Sequence, residues 1–152
     1  MVLLKNGSVY QMNVDGSSTP VVYTATPNTG KRFYVYRIEI TMRDTAINLL
    51  KFGGITALTN GFNIEIKEQG STRYLMEHSV KFNSEFFRWT PHIEIYSSGE
   101  DLITVTFNFT DTNSVIRLDD SDSDYIRTTI SDDLTGLTGF TVTIHGYEVD
   151  EA

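Results

Sequence analysis

The stretch Phe33-Tyr34-Val35-Tyr36-Arg37-Ile38-Glu39-Ile40-Thr41-Met42 decides the fold class. Its even positions read Tyr34, Tyr36, Ile38, Ile40 and Met42, and its odd positions after Val35 read Arg37, Glu39 and Thr41. Apolar and polar side chains that alternate with period two describe a strand with one face in a core and the other in water. The pattern puts Tyr34 and Tyr36 on the same face as Ile38 and Ile40.

The alternation recurs on both sides of this segment. Phe62, Ile64 and Ile66 alternate with Asn63, Glu65 and Lys67. Ile103, Val105, Phe107 and Phe109 alternate with Thr104, Thr106 and Asn108. Phe140, Val142 and Ile144 alternate with Thr141, Thr143 and His145, which directs His145 outward. Shorter strand candidates are Val9–Val14, Pro20–Thr24, Tyr74–Glu77, His92–Tyr96, Val115–Leu118 and Tyr125–Ile130. Between them lie Asp15-Gly16, Pro27-Asn28-Thr29-Gly30, Gly53-Gly54, Asn60-Gly61, Gln69-Gly70 and Ser98-Gly99, residues that suit turns. Composition agrees: 20 Thr against 4 Ala favours pleated strands over helices. About eight to ten short strands predict an antiparallel β-sandwich or barrel. Helix is confined to one or two turns, best placed at Asp132–Leu137, with a second short helical or irregular connection within 44–58. Residues 1–25, more weakly patterned, read as an N-terminal arm or edge hairpin, and 26–152 as the sandwich domain.

The 152-residue length suits one domain with a real core. The absence of cysteine excludes disulfide frameworks, zinc ribbons and thiol nucleophiles. A net charge of −8 speaks against a nucleic-acid partner, which selects a basic footprint. Three apolar residues before Lys5 are too few for a signal-peptide core, and no run has the length of a membrane span. The expectation is a chain made soluble in a cytoplasm, without a membrane partner.

Charge is unevenly placed. Residues 1–99 hold 10 basic and 8 acidic groups, whereas residues 100–152 hold 2 and 12. The densest acidic run is Asp119-Asp120-Ser121-Asp122-Ser123-Asp124, in which Asp120, Asp122 and Asp124 are candidate Ca²⁺ ligands. The EF-hand pattern fails, since Tyr125 stands where its Gly belongs and Ser131 where its bidentate Glu belongs. A solvated acidic loop is the simpler reading, and no cofactor is expected. An acidic rim of this kind also suits a subunit that meets a basic neighbour.

Catalytic patterns are sparse. His78, His92 and His145 are scattered, and there is no Gly-x-Ser-x-Gly elbow, phosphate loop or dinucleotide fingerprint. A non-enzymatic chain is expected. The aromatic cluster Phe82, Phe86, Phe87 and Trp89 suits core packing, a protein interface or a sugar platform, in that order.

Three segments, taken in order, carry a resemblance. They are Pro27–Phe33 leading into Tyr36–Ile40 and Arg43-Asp44; Phe52-Gly53-Gly54-Ile55 followed by Leu58–Ile64; and Ile130–Leu137 leading to Phe140 and Gly146-Tyr147-Glu148-Val149. Together they resemble small jelly-roll-like virion proteins of tailed bacteriophages, the capsid decoration and head auxiliary subunits. The resemblance implies a jelly-roll winding and a structural role: binding the major capsid protein or neighbouring virion subunits, as a homo-oligomer with a trimer favoured, in the virion. It leaves a tail, baseplate or fibre module that reads a host surface or glycan as the alternative. Interface candidates are Leu3, Leu4 and Tyr10 near the N-terminus and Phe86, Phe87 and Trp89 in the aromatic stretch.

Overall fold

The computed structural model describes residues 2–3, 9–14, 21–43, 61–79, 92–98, 102–109, 115–130 and 139–151. Among them there are eleven strands and no helix: β1 (Val2–Leu3), β2 (Val9–Val14), β3 (Val21–Thr26), β4 (Lys31–Arg43), β5 (Phe62–Glu68), β6 (Ser71–Ser79), β7 (His92–Ser98), β8 (Leu102–Asn108), β9 (Ile116–Asp119), β10 (Tyr125–Ile130) and β11 (Gly139–Asp150). They form a five-stranded sheet, β1-β3-β10-β5-β6, and a six-stranded sheet, β2-β11-β4-β8-β7 with β9 also on β4. All pairings are antiparallel except the short β1–β3 contact. The fold is a β-sandwich. The chain crosses between sheets from β3 to β4 to β5 and again from β9 to β10 to β11, and returns within a sheet at β5–β6 and β7–β8.

Alternation explains the core. Ile64 and Ile66 of β5, Ile126 and Ile130 of β10, Ile38 and Ile40 of β4, Val105 and Phe107 of β8, and Val142 and Ile144 of β11 are buried, while the residues between them are mostly half-exposed. Two inner faces interdigitate to make one apolar layer, the standard way for two sheets to remove their apolar sides from water. Burial of a Phe or Ile stabilises by roughly 1.5–3 kcal/mol. The fully buried Phe33, Phe62, Phe107 and Phe109 therefore rank among the main contributors.

The deciding stretch departs from its expected reading in one place. Phe33 and Val35 are fully buried and Tyr34 and Tyr36 are not, the reverse of the even-position rule. The register between β4 and β11 slips at this point: Arg37 faces His145, Val35 faces Gly146, and Tyr36 is the extra residue. A bulge of one residue exchanges the two faces of a strand, because side chains alternate with period two. It lies where β4 changes partner, from β9 at Arg32–Val35 to β8 at Arg37–Arg43. The Tyr36 carbonyl accepts a hydrogen bond from Phe109 N at 2.9 Å, so the bulge leaves no stranded acceptor there. Gly146 completes the junction. A Cβ at this position would stand 2.2 Å from Phe33 Cε1 and 2.2 Å from the Tyr34 carbonyl oxygen.

The N-terminal strands β1 and β2 lie at edges of opposite sheets and do not pair with each other, and β3 is an interior strand with Tyr23 and Ala25 buried. The helical turns expected at 132–137 and within 44–58 fall outside the described residues. Among the described residues no helix is long and apolar enough to cross a membrane.

Candidate functional site

The acidic run lies in the β9–β10 connection, where the chain passes from one sheet to the other. Ser123 N donates to Asp120 O at 2.9 Å and Asp124 N to Asp119 O at 3.1 Å, with Ser123 in the left-handed region at φ 54°. Two of the aspartates are buried. Asp124 is fully buried, and its carboxylate accepts three backbone N–H bonds: from Gln69 at 2.8 Å, Gly70 at 3.0 Å and Asp119 at 2.9 Å. Gln69 and Gly70 are the two-residue turn between β5 and β6, both at positive φ (50° and 79°), a geometry that matches the twist of a hairpin. Such a turn points its amides outward without strand partners, and Asp124 receives them.

Asp119 is 3% exposed and lies between two guanidiniums. Arg32 Nε donates to Oδ1 at 2.5 Å, and Arg117 donates to Oδ2 from Nε at 3.0 Å and from Nη2 at 2.7 Å. Burial alone would push the Asp119 carboxyl up; the hydrogen bonds and charges of Arg117 and Arg32 outweigh it and hold the group below the usual aspartate range. Arg117 N also donates to Glu68 Oε1 at 2.9 Å, which ties β9 to β5. The outward groups are engaged as well. Gly30 N donates to Asp120 Oδ2 at 2.8 Å, Ser121 N and Oγ donate to Glu151 Oε1 at 3.1 and 3.0 Å, and Lys67 Nζ donates to the Asp122 carbonyl at 2.7 Å. One end of the sandwich is thus closed by carboxylates that receive backbone amides from both sheets.

The candidate Ca²⁺ trio Asp120, Asp122 and Asp124 does not come together as a set. Asp119, Asp122 and Asp124 bring carboxylate oxygens within 4.8 Å of one another, and Asp120 is outside this group. Asp119 is neutralised by two arginines and Asp124 is occupied by three amides, so these groups act as caps of the protein's own backbone. Sequence reading missed Asp119, Glu68 and Gln69 as one unit. The available signal was Arg117 two residues before Asp119, a spacing that puts both on one face of a strand.

A second polar group lies on the outer face of the six-stranded sheet. Arg37 Nη2 is 3.2 Å from His145 Nδ1, and Glu39 reaches both, with Oε1 3.3 Å from Arg37 Nε and Oε2 3.6 Å from His145 Nε2. His145 does lie on the outer face, yet its side chain is only 11% exposed. Burial, then the neighbouring Arg37 charge, push its pKa down against the opposing pull of Glu39. Past the bulge, Tyr34 and Tyr147 stack with ring centroids 5.2 Å apart, and Tyr147 and Val149 are among the most exposed apolar side chains described. A third group is on the outer face of the other sheet. The Tyr125 hydroxyl donates to Glu65, and the Arg127 guanidinium lies over the Tyr125 ring at 4.3 Å. That Glu65 bond, aided by burial, raises the Tyr125 pKa.

Of the expected interface residues, Leu3 belongs to β1 and Tyr10 to β2, in different sheets, with Tyr10 opposite Ile144. Leu4, Phe86, Phe87 and Trp89 lie outside the described residues. No protein-family model, curated protein or solved structure matches the chain, so the likeness to phage virion proteins rests on its three segments alone.

Proposed function

We propose that the chain is a non-enzymatic structural subunit of a tailed-phage particle that binds the capsid and stabilises it, as a jelly-roll-like sandwich associating into a homo-oligomer, with a trimer favoured. The observation that carries this reading is the acidic end. Asp120, Asp122, Asp150 and Glu151 gather where β9, β11 and the turn before β4 meet, and backbone and side-chain bonds fix this end. A preorganised acidic rim suits docking on a basic shell surface, because its charges are already ordered before contact. Stabilisation then follows by mass action: a subunit that binds the assembled shell more tightly than free shell subunits shifts the equilibrium toward assembly.

The test compares particles of the encoding phage made with and without the protein. Particles that lack it are expected to lose integrity at lower temperature and lower salt, and the purified protein added back is expected to restore them. Equal survival of the two particle types would refute the role.

A further inference from the structure

The outer face of the six-stranded sheet is polar across several strands. By register, Thr143, Glu39 and Thr106 form one row and His145, Arg37 and Asn108 the next. Beyond the bulge come Tyr147, Tyr34 and Arg117, then Val149, Arg32 and Asp119. Val149 is the single aliphatic residue among these positions. A face built to bury itself against a protein would carry more apolar area at its centre. Arg37 is paired with Glu39, and Arg32 and Arg117 share the one carboxylate of Asp119. Three guanidiniums against two carboxylates leave these positions with a single positive charge, far from the basic footprint of a nucleic-acid site.

Two further features point to a ligand. Tyr147 is 46% exposed while its ring is held against Tyr34 at an interplanar angle of 28°, so an oriented aromatic surface faces solvent. Such a ring is a platform on which the C–H face of a sugar stacks. The second feature is a polar trio in which Arg37 Nε and His145 Nε2, both closed to solvent, face Glu39. His145 Nδ1 accepts from Arg37 Nη2, so the neutral ring carries its proton on Nε2. Glu39 lies 3.3 Å from Arg37 Nε and 3.6 Å from His145 Nε2. Arg37 and Glu39 remain 37% and 30% exposed, within reach of a hydroxyl that accepts from the guanidinium and donates to the carboxylate. His145 and Tyr147 are two residues apart on β11, about 7 Å at the rise of an antiparallel strand. Ring and polar trio thus fit neighbouring sugars of one chain.

We infer that this face binds a neutral oligosaccharide, one pyranose stacking on Tyr147 and its neighbour hydrogen-bonding to Arg37 and Glu39. The site stands independently of shell binding, since it uses a sheet face and not the acidic rim.

The experiment is native gel electrophoresis of the full chain through soluble glucan, mannan, galactan and purified bacterial O-polysaccharide, followed by titration with whichever retards it. At least one polysaccharide is expected to retard the protein. Tyr147→Ala and Arg37→Ala are each expected to weaken binding roughly tenfold or more, the order set by one lost stacking or charged contact. Tyr147→Phe keeps the ring and is expected to retain binding, which separates stacking from any loss of fold. Val22→Ala, at a 55% exposed position of the other sheet, is expected to change nothing. Retardation by none of the polysaccharides would overturn the inference. So would binding that survives both Tyr147→Ala and Arg37→Ala.

Discussion

Replacing Asp124 by Ala removes one carboxylate and strands three backbone donors, Gln69 N, Gly70 N and Asp119 N. The Asp119 amide is buried and the two turn amides are partly buried, so water restores the bonds only in part. A buried donor without a partner costs about 1–3 kcal/mol, and bonds to a charged acceptor lie at the upper end. With the turn amides partly rehydrated, the loss is about 3–5 kcal/mol. For a domain of this size that corresponds to a fall of about 1.5–2.5 M in the urea midpoint at a slope near 2 kcal/mol/M. The assay is equilibrium urea unfolding followed by intrinsic fluorescence. Asp124→Asn retains an acceptor and is expected to lose about half as much. Asp122→Ala, at an exposed position that contributes its carbonyl to Lys67, is expected to stay within about 0.5 kcal/mol of the parent. An Asp124→Ala variant within about 1 kcal/mol of the parent, or an Asp122→Ala variant that loses as much as Asp124→Ala is expected to lose, would refute the view that this loop caps the sandwich.

Gly146→Ala should destabilise by about 2–3 kcal/mol, since the added methyl meets both the Phe33 ring and the Tyr34 carbonyl; thermal melting reads this, and an unchanged midpoint would argue against the close approach. The lowered His145 pKa predicts a pH slope. Stability is full above the unfolded value of about 6.5 and declines as pH falls through that value toward the folded one; His145→Gln should flatten urea midpoints measured across this window. Asp119, also lowered, contributes stability that is fully present above the ordinary aspartate value of about 3.9 and lost as pH falls through its folded value, so Asp119→Asn should reduce the acid sensitivity at the low end of the titration. Because Asp119 and Asp124 are already occupied, millimolar Ca²⁺ should leave the melting temperature of the parent unchanged, and a clear rise would restore the metal reading of this loop.

The two-layer β-architecture was legible because most strands here are one-face-buried. The alternation of Phe62–Lys67 is reproduced residue by residue in its burial, and Tyr125–Ile130 alternates in burial with the polar Thr128 at an inward position. On β4, period two fails where an extra residue enters. Nothing in Phe33–Ile38 announces the bulge at Tyr36, because Phe, Tyr and Val are acceptable on either face; the change of partner from β9 to β8 along β4 decides it. The acidic loop was visible as a run of charge, but not its role. A carboxylate that caps Gln69 and Gly70 from 55 and 54 positions away depends on which turn the fold brings beside it. The same holds for Arg37, Glu39 and His145. Two are neighbours by spacing on β4, and the third joins them only through the β4–β11 register.

The proposed role depends on ordered acidic charge meeting a basic shell surface. Co-sedimentation of the purified protein with tailed-phage shells that lack it, across a salt series, tests this directly. Saturable binding at low ionic strength, weakening steadily as salt screens the contact, is expected. Protein that stays in the supernatant at every salt concentration would contradict it.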